Sequence, residues 1–158
     1  MTVVSDTSPL LYLLLIDQLA LLPRLYNAIV IPDVVQSEMQ ADGAPEILKL
    51  WIAEPPDWLD ICLTPEGDVA FLQNLQMGEQ AAILLAQELQ ADLIILDDLA
   101  ARKAAQQLDL TIIGMLGILG EAARRGWIDL PSALNQLLQD TNFRVSPQLI
   151  QDVLGQFS

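Results

Sequence analysis

The chain of 158 residues contains no histidine and a single cysteine, Cys62. Without histidine, Ser-His-Asp and Cys-His catalysis are excluded, and so are zinc sites with imidazole ligands. One cysteine can form neither an internal disulfide nor a thiolate metal cluster. Basic residues are scarce as well: 7 Lys and Arg stand against 21 Asp and Glu, a formal net charge of -14. A field of that sign repels nucleic acid at long range and argues against a broad basic binding patch. It leaves nucleic-acid chemistry open, because carboxylates that gather hard divalent cations turn a repulsive pocket into one that attracts phosphate. Carboxylate, hydroxyl, lysine and arginine are what remain for chemistry.

Long apolar runs are missing too. The stretch Leu10–Leu22 is interrupted by Asp17 and has no basic residue before it. A membrane span needs about 20 apolar residues, and a signal peptide needs a positive start. The expectation is a buried helix of a cytoplasmic protein that makes no membrane contact. Hydrophobic residues nevertheless reach 53% and charged residues only 18%, against the ~45–50% and ~25% usual for soluble domains. Such a chain buries a full core, which excludes intrinsic disorder and fits one domain.

Short apolar strands alternate with longer helical patterns. Thr2–Ser5 reads as a strand ending at Asp6, and Ser8-Pro9 as a helix start with Ser8 as N-cap and Pro9 at the first helical position. Leu10–Tyr26 is expected to be helical, broken near Asp17 and bent at Pro23. A second strand, Ala28–Ile31, leads through Pro32 into a helix carrying Val34, Val35, Glu38 and Met39. Pro45 opens a helix through Ile52, and Leu59–Leu63 alternates like a peripheral strand. Helix is predicted over Val69–Leu75 and again over Glu79–Leu89, just after Gly78. Leu93–Leu96 is continuously apolar, as suits a central parallel strand covered on both faces. It stops at Asp97-Asp98, before a helix over Leu99–Gln107. A strand over Leu110–Ile113 and a helix over Leu116–Arg125 closed by Gly126 follow, then two amphipathic helices near Ser132–Leu138 and Pro147–Leu154. This alternation predicts an α/β fold: a three-layer α/β/α sandwich with a central, mainly parallel sheet. Ligands in that architecture bind at the carboxyl ends of the strands, beside a switch in strand order. Asp6 and Asp97-Asp98 sit at such ends.

Four acidic positions stand out by placement. Asp6 follows the first strand, and Asp97 and Asp98 follow the central one. Glu38 leans toward an apolar helix face beside Met39, and Glu79 lies on the buried stripe of its helix. A buried carboxylate needs a cation, a donor or a proton. Several at one sheet edge suit Mg²⁺ or Mn²⁺, which take oxygen ligands and can drive phosphodiester cleavage without histidine. Each position also has a purely structural alternative. Asp6 could cap the next helix, Glu38 could be solvated, and Glu79 could complement the helix dipole. Asp97-Asp98 could be a turn and cap, with Asp98 paired to Arg102 four residues on. Thr7 and Ser8 are candidates to hold Asp6 or a water, and Arg102 to reach a phosphate. Trp51, Trp58 and Trp127 read as packing or interface residues, and Cys62 as a small core residue.

In order and spacing, Val3–Leu10, Ile31–Val35 reaching Glu38, Gly78–Ile83, and Leu96-Asp97-Asp98 with Arg102 resemble a PIN domain. More narrowly they resemble the branch akin to VapC-type toxin nucleases, which Ile113–Leu119 and Gly126-Trp127-Ile128 also fit. The resemblance covers residues 1–128 as a nuclease-like domain and leaves 129–158 as a helical extension packed on it. It implies a Mg²⁺- or Mn²⁺-dependent endoribonuclease in which Asp6, Glu38, Glu79 and Asp97 or Asp98 match the four family acids. Thr7 or Ser8 matches the small hydroxyl residue after the first. The third acid departs from the aspartate usual there. A homodimer and a small antitoxin partner are further implications. The alternative is a PIN-like protein-binding module with poor metal affinity. Phosphoryl transfer through an aspartate ranks last, since Asp6 has no second acid two residues on.

Overall fold

The computed structural model describes residues 1–157. In chain order it runs β1 (Val3–Ser5), α1 (Thr7–Leu15), α2 (Leu21–Tyr26), β2 (Ile29–Pro32), α3 (Asp33–Gln40), α4 (Glu46–Ala53) and β3 (Leu59–Cys62). Then come α5 (Met77–Leu89), β4 (Leu93–Ile95), α6 (Leu99–Gln107), β5 (Ile112–Ile113), α7 (Met115–Arg124), α8 (Leu130–Asp140) and α9 (Pro147–Phe157). The five strands form one parallel sheet in the order β3-β2-β1-β4-β5. From β1 the chain moves outward through β2 to β3, then returns to the other side of β1 as β4. The strand order therefore reverses between β1 and β4, and in open α/β sheets ligands bind at the carboxyl ends beside such a reversal.

Side-chain alternation along the central strands builds a core on each face. Val3 and Ile95 point into a cluster with Leu10 and Leu13 of α1, Val35 and Met39 of α3, and Ile118 of α7. Val4, Ile94 and Leu96 point the other way, onto Ala82, Ile83 and Ala86 of α5 and Ala101 and Ala105 of α6. Alanines on those two helices let the backbones approach the sheet closely. The result is the expected α/β/α sandwich. Leu134, Leu137, Phe143 and Val153, from α8, α9 and the loop between them, join the first cluster, with the Phe143 ring edge-on to Tyr12 at 5.4 Å.

Several local expectations need correction. Ser8 is not the N-cap of α1. The helix begins at Thr7, with Asp6 in the capping position and no side-chain cap. Pro9 then falls third in the first turn, where a missing amide costs nothing because that position has no intrahelical acceptor. The helix expected over Val69–Leu75 is reduced to a 3-10 turn, Ala70–Leu72. Its Val69 and Phe71 are exposed and only Leu72 is buried, so too little packing supports a longer helix. Helix α5 begins at Met77, which puts Gly78 inside its first turn. The strand expected over Leu110–Ile113 is shortened to Ile112–Ile113, while Asp17 takes a left-handed conformation (φ 57°) where the first helical stretch breaks. Gly126 (φ 77°) closes α7 through Gly126 N–H to Ala123 (2.9 Å) and Trp127 N–H to Ala122 (3.0 Å), a glycine-dependent stop.

Candidate active site

Strand register brings the first and last acids together. Ser5 lies opposite Ile95, and the Asp6 amide donates to the Ile95 carbonyl at 3.2 Å. Asp6 therefore leaves β1 beside the point where Asp97 leaves β4. It is 6% exposed. Asp97 is fixed from a third direction: the Met115 amide, at the start of α7, donates to its Oδ1 at 2.9 Å. A helix N-terminus is a natural anchor for a carboxylate. Asp97 Oδ2 has no hydrogen-bond partner, and among the described residues it is the buried side-chain polar atom left unpaired.

Glu38 reaches the same edge from α3. The Thr7 hydroxyl donates to its Oε2 at 2.8 Å and the Gly78 amide to its Oε1 at 2.8 Å. A Cβ on Gly78 would lie 2.6 Å from Oε1, closer than real Cβ atoms come. Glycine is what lets the α5 backbone sit against this carboxylate. Glu79, 7% exposed, accepts the Gln76 amide at 3.0 Å as the reciprocal half of a capping box.

Asp97 and Asp98 divide their roles. The Asp98 side chain accepts the Ala101 amide at 3.0 Å and caps α6, while Asp97 turns inward. Arg102 does not pair with Asp98. Its Nη1 donates to the Leu96 carbonyl at 3.2 Å, which leaves the guanidinium beside Asp97. Gly114 makes that approach possible, since a Cβ there would collide with Arg102 Nη1 and come within 3.0 Å of Asp97 Oδ1. Ser8 is exposed on α1, and the Thr7 hydroxyl is committed to Glu38.

Electrostatics report the convergence. Burial, reinforced by Glu79, Glu38 and Asp97, pushes the Asp6 carboxyl up to about 7, against the opposing hydrogen bond from the Thr7 amide. Burial also raises Asp97 to about 6, with the Met115 amide and then Arg102 working against it. Glu79 is raised by burial and by neighbouring Asp98 and Glu38. Burial is the first cause of all three shifts, and neighbouring acids add to it at Asp6 and Glu79; perturbed acids gathered at one edge are candidates for a functional site. Among the described residues, though, no three carboxylates are drawn together as a finished cation cage. Glu38 and Glu79 are turned onto backbone amides instead. The amides of Gly78 and Met115 were invisible to a reading of side-chain types. A glycine directly before an apolar-face glutamate was the available signal for the first.

A family model described as DUF3368, a PIN domain, matches residues 2–158. The chain belongs to the PIN-domain family. PIN domains are generally nucleases, and hence hydrolases. The acidic edge of this PIN domain lies at the strand-order reversal, and the matched region continues through α8 and α9. No curated protein and no solved structure gives a match. No helix among the described residues is long and apolar enough to cross a membrane.

Proposed function

We propose that this PIN domain is a divalent-metal-dependent endoribonuclease that hydrolyses RNA phosphodiester bonds. One observation carries the reading: Asp6 is buried at the switch point facing Glu38, Glu79 and Asp97, with Asp97 Oδ2 left unpartnered. Such a group is high in energy until a cation or a proton joins it. The donor set fits Mg²⁺ or Mn²⁺. It is all oxygen, and Mg²⁺ usually takes one or two carboxylates while keeping waters and substrate phosphate for its other positions, so no closed cage is required. Asp6 and Asp97 would hold the ion, with Glu38, Glu79 and Asp98 lining the site. A bound divalent ion supplies charge stabilisation at the phosphate and an activated water.

The remaining residues set the stage for that chemistry. Thr7 and the Gly78 amide hold Glu38 in one orientation, and the Met115 amide does the same for Asp97. Arg102 offers a positive charge where an otherwise acidic edge would repel the substrate. The reading extends to the toxin of a toxin–antitoxin pair that forms a homodimer in the cytoplasm. Exposed Ile47 and Leu50 on α4 are apolar surface for such contacts to cover.

A second reading, a protein-binding module with poor metal affinity, draws on the engagement of Glu38 and Glu79 with backbone amides. Incubating purified chain with labelled single-stranded RNA and Mn²⁺ separates the two. Cleavage that EDTA and Asp6→Asn each abolish supports the nuclease. Intact RNA at millimolar Mn²⁺ supports the binding module.

A further inference from the structure

Beside the acidic edge lies a cavity of about 560 Å³, within the range of small-ligand pockets. Its lining includes Asp97 and Arg102 from the acidic edge and Phe143, Arg144, Leu149 and Val153 from the C-terminal segment. Phe143 and Arg144 come from the loop before α9, and Leu149 and Val153 from α9 itself. The loop is held against the site through Phe143, whose ring packs edge-on to Tyr12.

The placement of cations here is unusual for so acidic a chain. Two of its 7 basic residues, Arg102 and Arg144, line this one cavity. Among the described residues the ion pairs involve Arg124 and Arg125 with Glu121, so neither cavity arginine is within salt-bridge distance of an acid. Arg102 uses Nη1 on the Leu96 carbonyl, and Arg144 uses Nη1 on the carbonyls of Leu138, Thr141 and Phe143. A guanidinium carries five N–H donors. Both arginines thus keep donors for an anion while their positions stay fixed. Phe143, Leu149 and Val153 give the cavity apolar lining, and Leu149 is 44% exposed. Two anchored guanidinium groups and an apolar lining in one cavity, next to a carboxylate edge, match the parts of a nucleotide: phosphate, then base or ribose.

We propose that this cavity is a subsite for the nucleotide that flanks the scissile phosphate of an RNA strand. Arg102 and Arg144 take its phosphate, and the wall formed by Phe143, Leu149 and Val153 takes its base or ribose. This rests on the endoribonuclease reading and deepens it, since the C-terminal segment becomes part of substrate recognition.

The test uses the full chain in two assays. The first titrates AMP, UMP and inorganic phosphate by calorimetry in EDTA, and the second follows RNA cleavage with Mn²⁺. The expected result is saturable binding of a nucleoside monophosphate, tighter than phosphate. Arg102→Gln and Leu149→Glu should each weaken it on the order of tenfold, as losing one good anchoring contact would. Leu99→Glu, also in the cavity lining and 66% exposed, should do the same. Leu149→Glu and Leu99→Glu should melt like wild type. Nucleotide binding that depends on Leu149, in a chain that cleaves no RNA, would support the subsite and overturn the nuclease reading. RNA cleavage with the same KM in wild type and Leu149→Glu, and no nucleotide binding, would overturn the subsite and leave the nuclease standing. Phosphate binding as tightly as nucleotide and indifferent to Leu149→Glu would also overturn it.

Discussion

Glu38 and Gly78, forty residues apart in the chain, are joined by a 2.8 Å hydrogen bond from the Gly78 amide to Glu38 Oε1. The absence of a side chain at Gly78 is what permits it. Gly→Ala inside a helix ordinarily stabilises by up to ~1 kcal/mol. Here the added Cβ would lie 2.7 Å from the Glu38 carboxyl carbon, so the sign should reverse. We expect Gly78→Ala to push the Glu38 carboxylate off its Thr7 and Gly78 donors, destabilising by about 1 kcal/mol through the lost hydrogen bonds, and to impair RNA cleavage. Thermal melting checks the sign; a variant more stable than wild type would mean that α5 does not press on this carboxylate.

Thr7 supplies the other anchor, through its 2.8 Å bond to Glu38 Oε2. Thr7→Val keeps the shape and removes the donor, which for a charged acceptor is worth about 1.5–3 kcal/mol. Cleavage should fall roughly tenfold or more on that scale, with the overall fold unchanged by circular dichroism. Thr7→Ser restores the hydroxyl and should recover most of the activity. Equal activity in the valine and serine variants would remove Thr7 from any role in holding the site.

The layers, the strand-order reversal and the acids at strand ends were legible in the sequence for physical reasons. Leu93–Leu96 is apolar without interruption because both sheet faces are covered, and Asp97-Asp98 stops it because the chain there meets solvent and a helix start. The division of labour inside that doublet was not legible. Asp98 caps α6 through a local contact that either acid could make, whereas Asp97 is drawn inward by the distant Met115 amide. Nor could side-chain patterns reveal what holds Glu38, since one of its two partners is a backbone N–H. Apolar spacing predicts helix over Val69–Leu75 but does not report that Val69 and Phe71 lack a surface to pack on, and the segment forms only a 3-10 turn at Ala70–Leu72.

Divalent metal should stabilise the protein in proportion to its occupancy. At ~100 times Kd the gain is about 2.7 kcal/mol, seen as a dose-dependent rise in melting temperature with Mn²⁺ or Mg²⁺ that EDTA reverses. Asp6→Asn and Asp97→Asn should each remove most of this rise, and Asp98→Asn much less, because Asp98 is occupied with the Ala101 amide. A metal-induced shift lost with Asp98→Asn and retained with Asp97→Asn would reverse the assignment of the inward acid.

In EDTA the same edge should make folding pH-dependent with an unusual sign. Asp6 and Asp97 titrate at about 7 and about 6 in the folded chain, against 3.8 for an ordinary aspartate. Between those limits the folded state holds more protons than the unfolded state, so stability falls as pH rises. The contribution is complete below pH ~4 and is lost on passing through pH ~6 and then ~7. Asp6→Asn keeps the hydrogen-bonding shape without the charge. It should flatten the upper part of this decline and leave the metal-free variant more stable than wild type at pH 8, by on the order of 2–4 kcal/mol for a shift of this size. Saturating Mn²⁺ should act oppositely in wild type, because the ion competes with protons for the same oxygens and its stabilisation grows as pH rises toward 7. Melting curves for the two proteins from pH 4 to 8, with EDTA and with Mn²⁺, contain the whole comparison. Parallel EDTA curves for wild type and Asp6→Asn would mean that Asp6 ionises in the folded chain as readily as in the unfolded one, and that the acids do not repel one another at this edge.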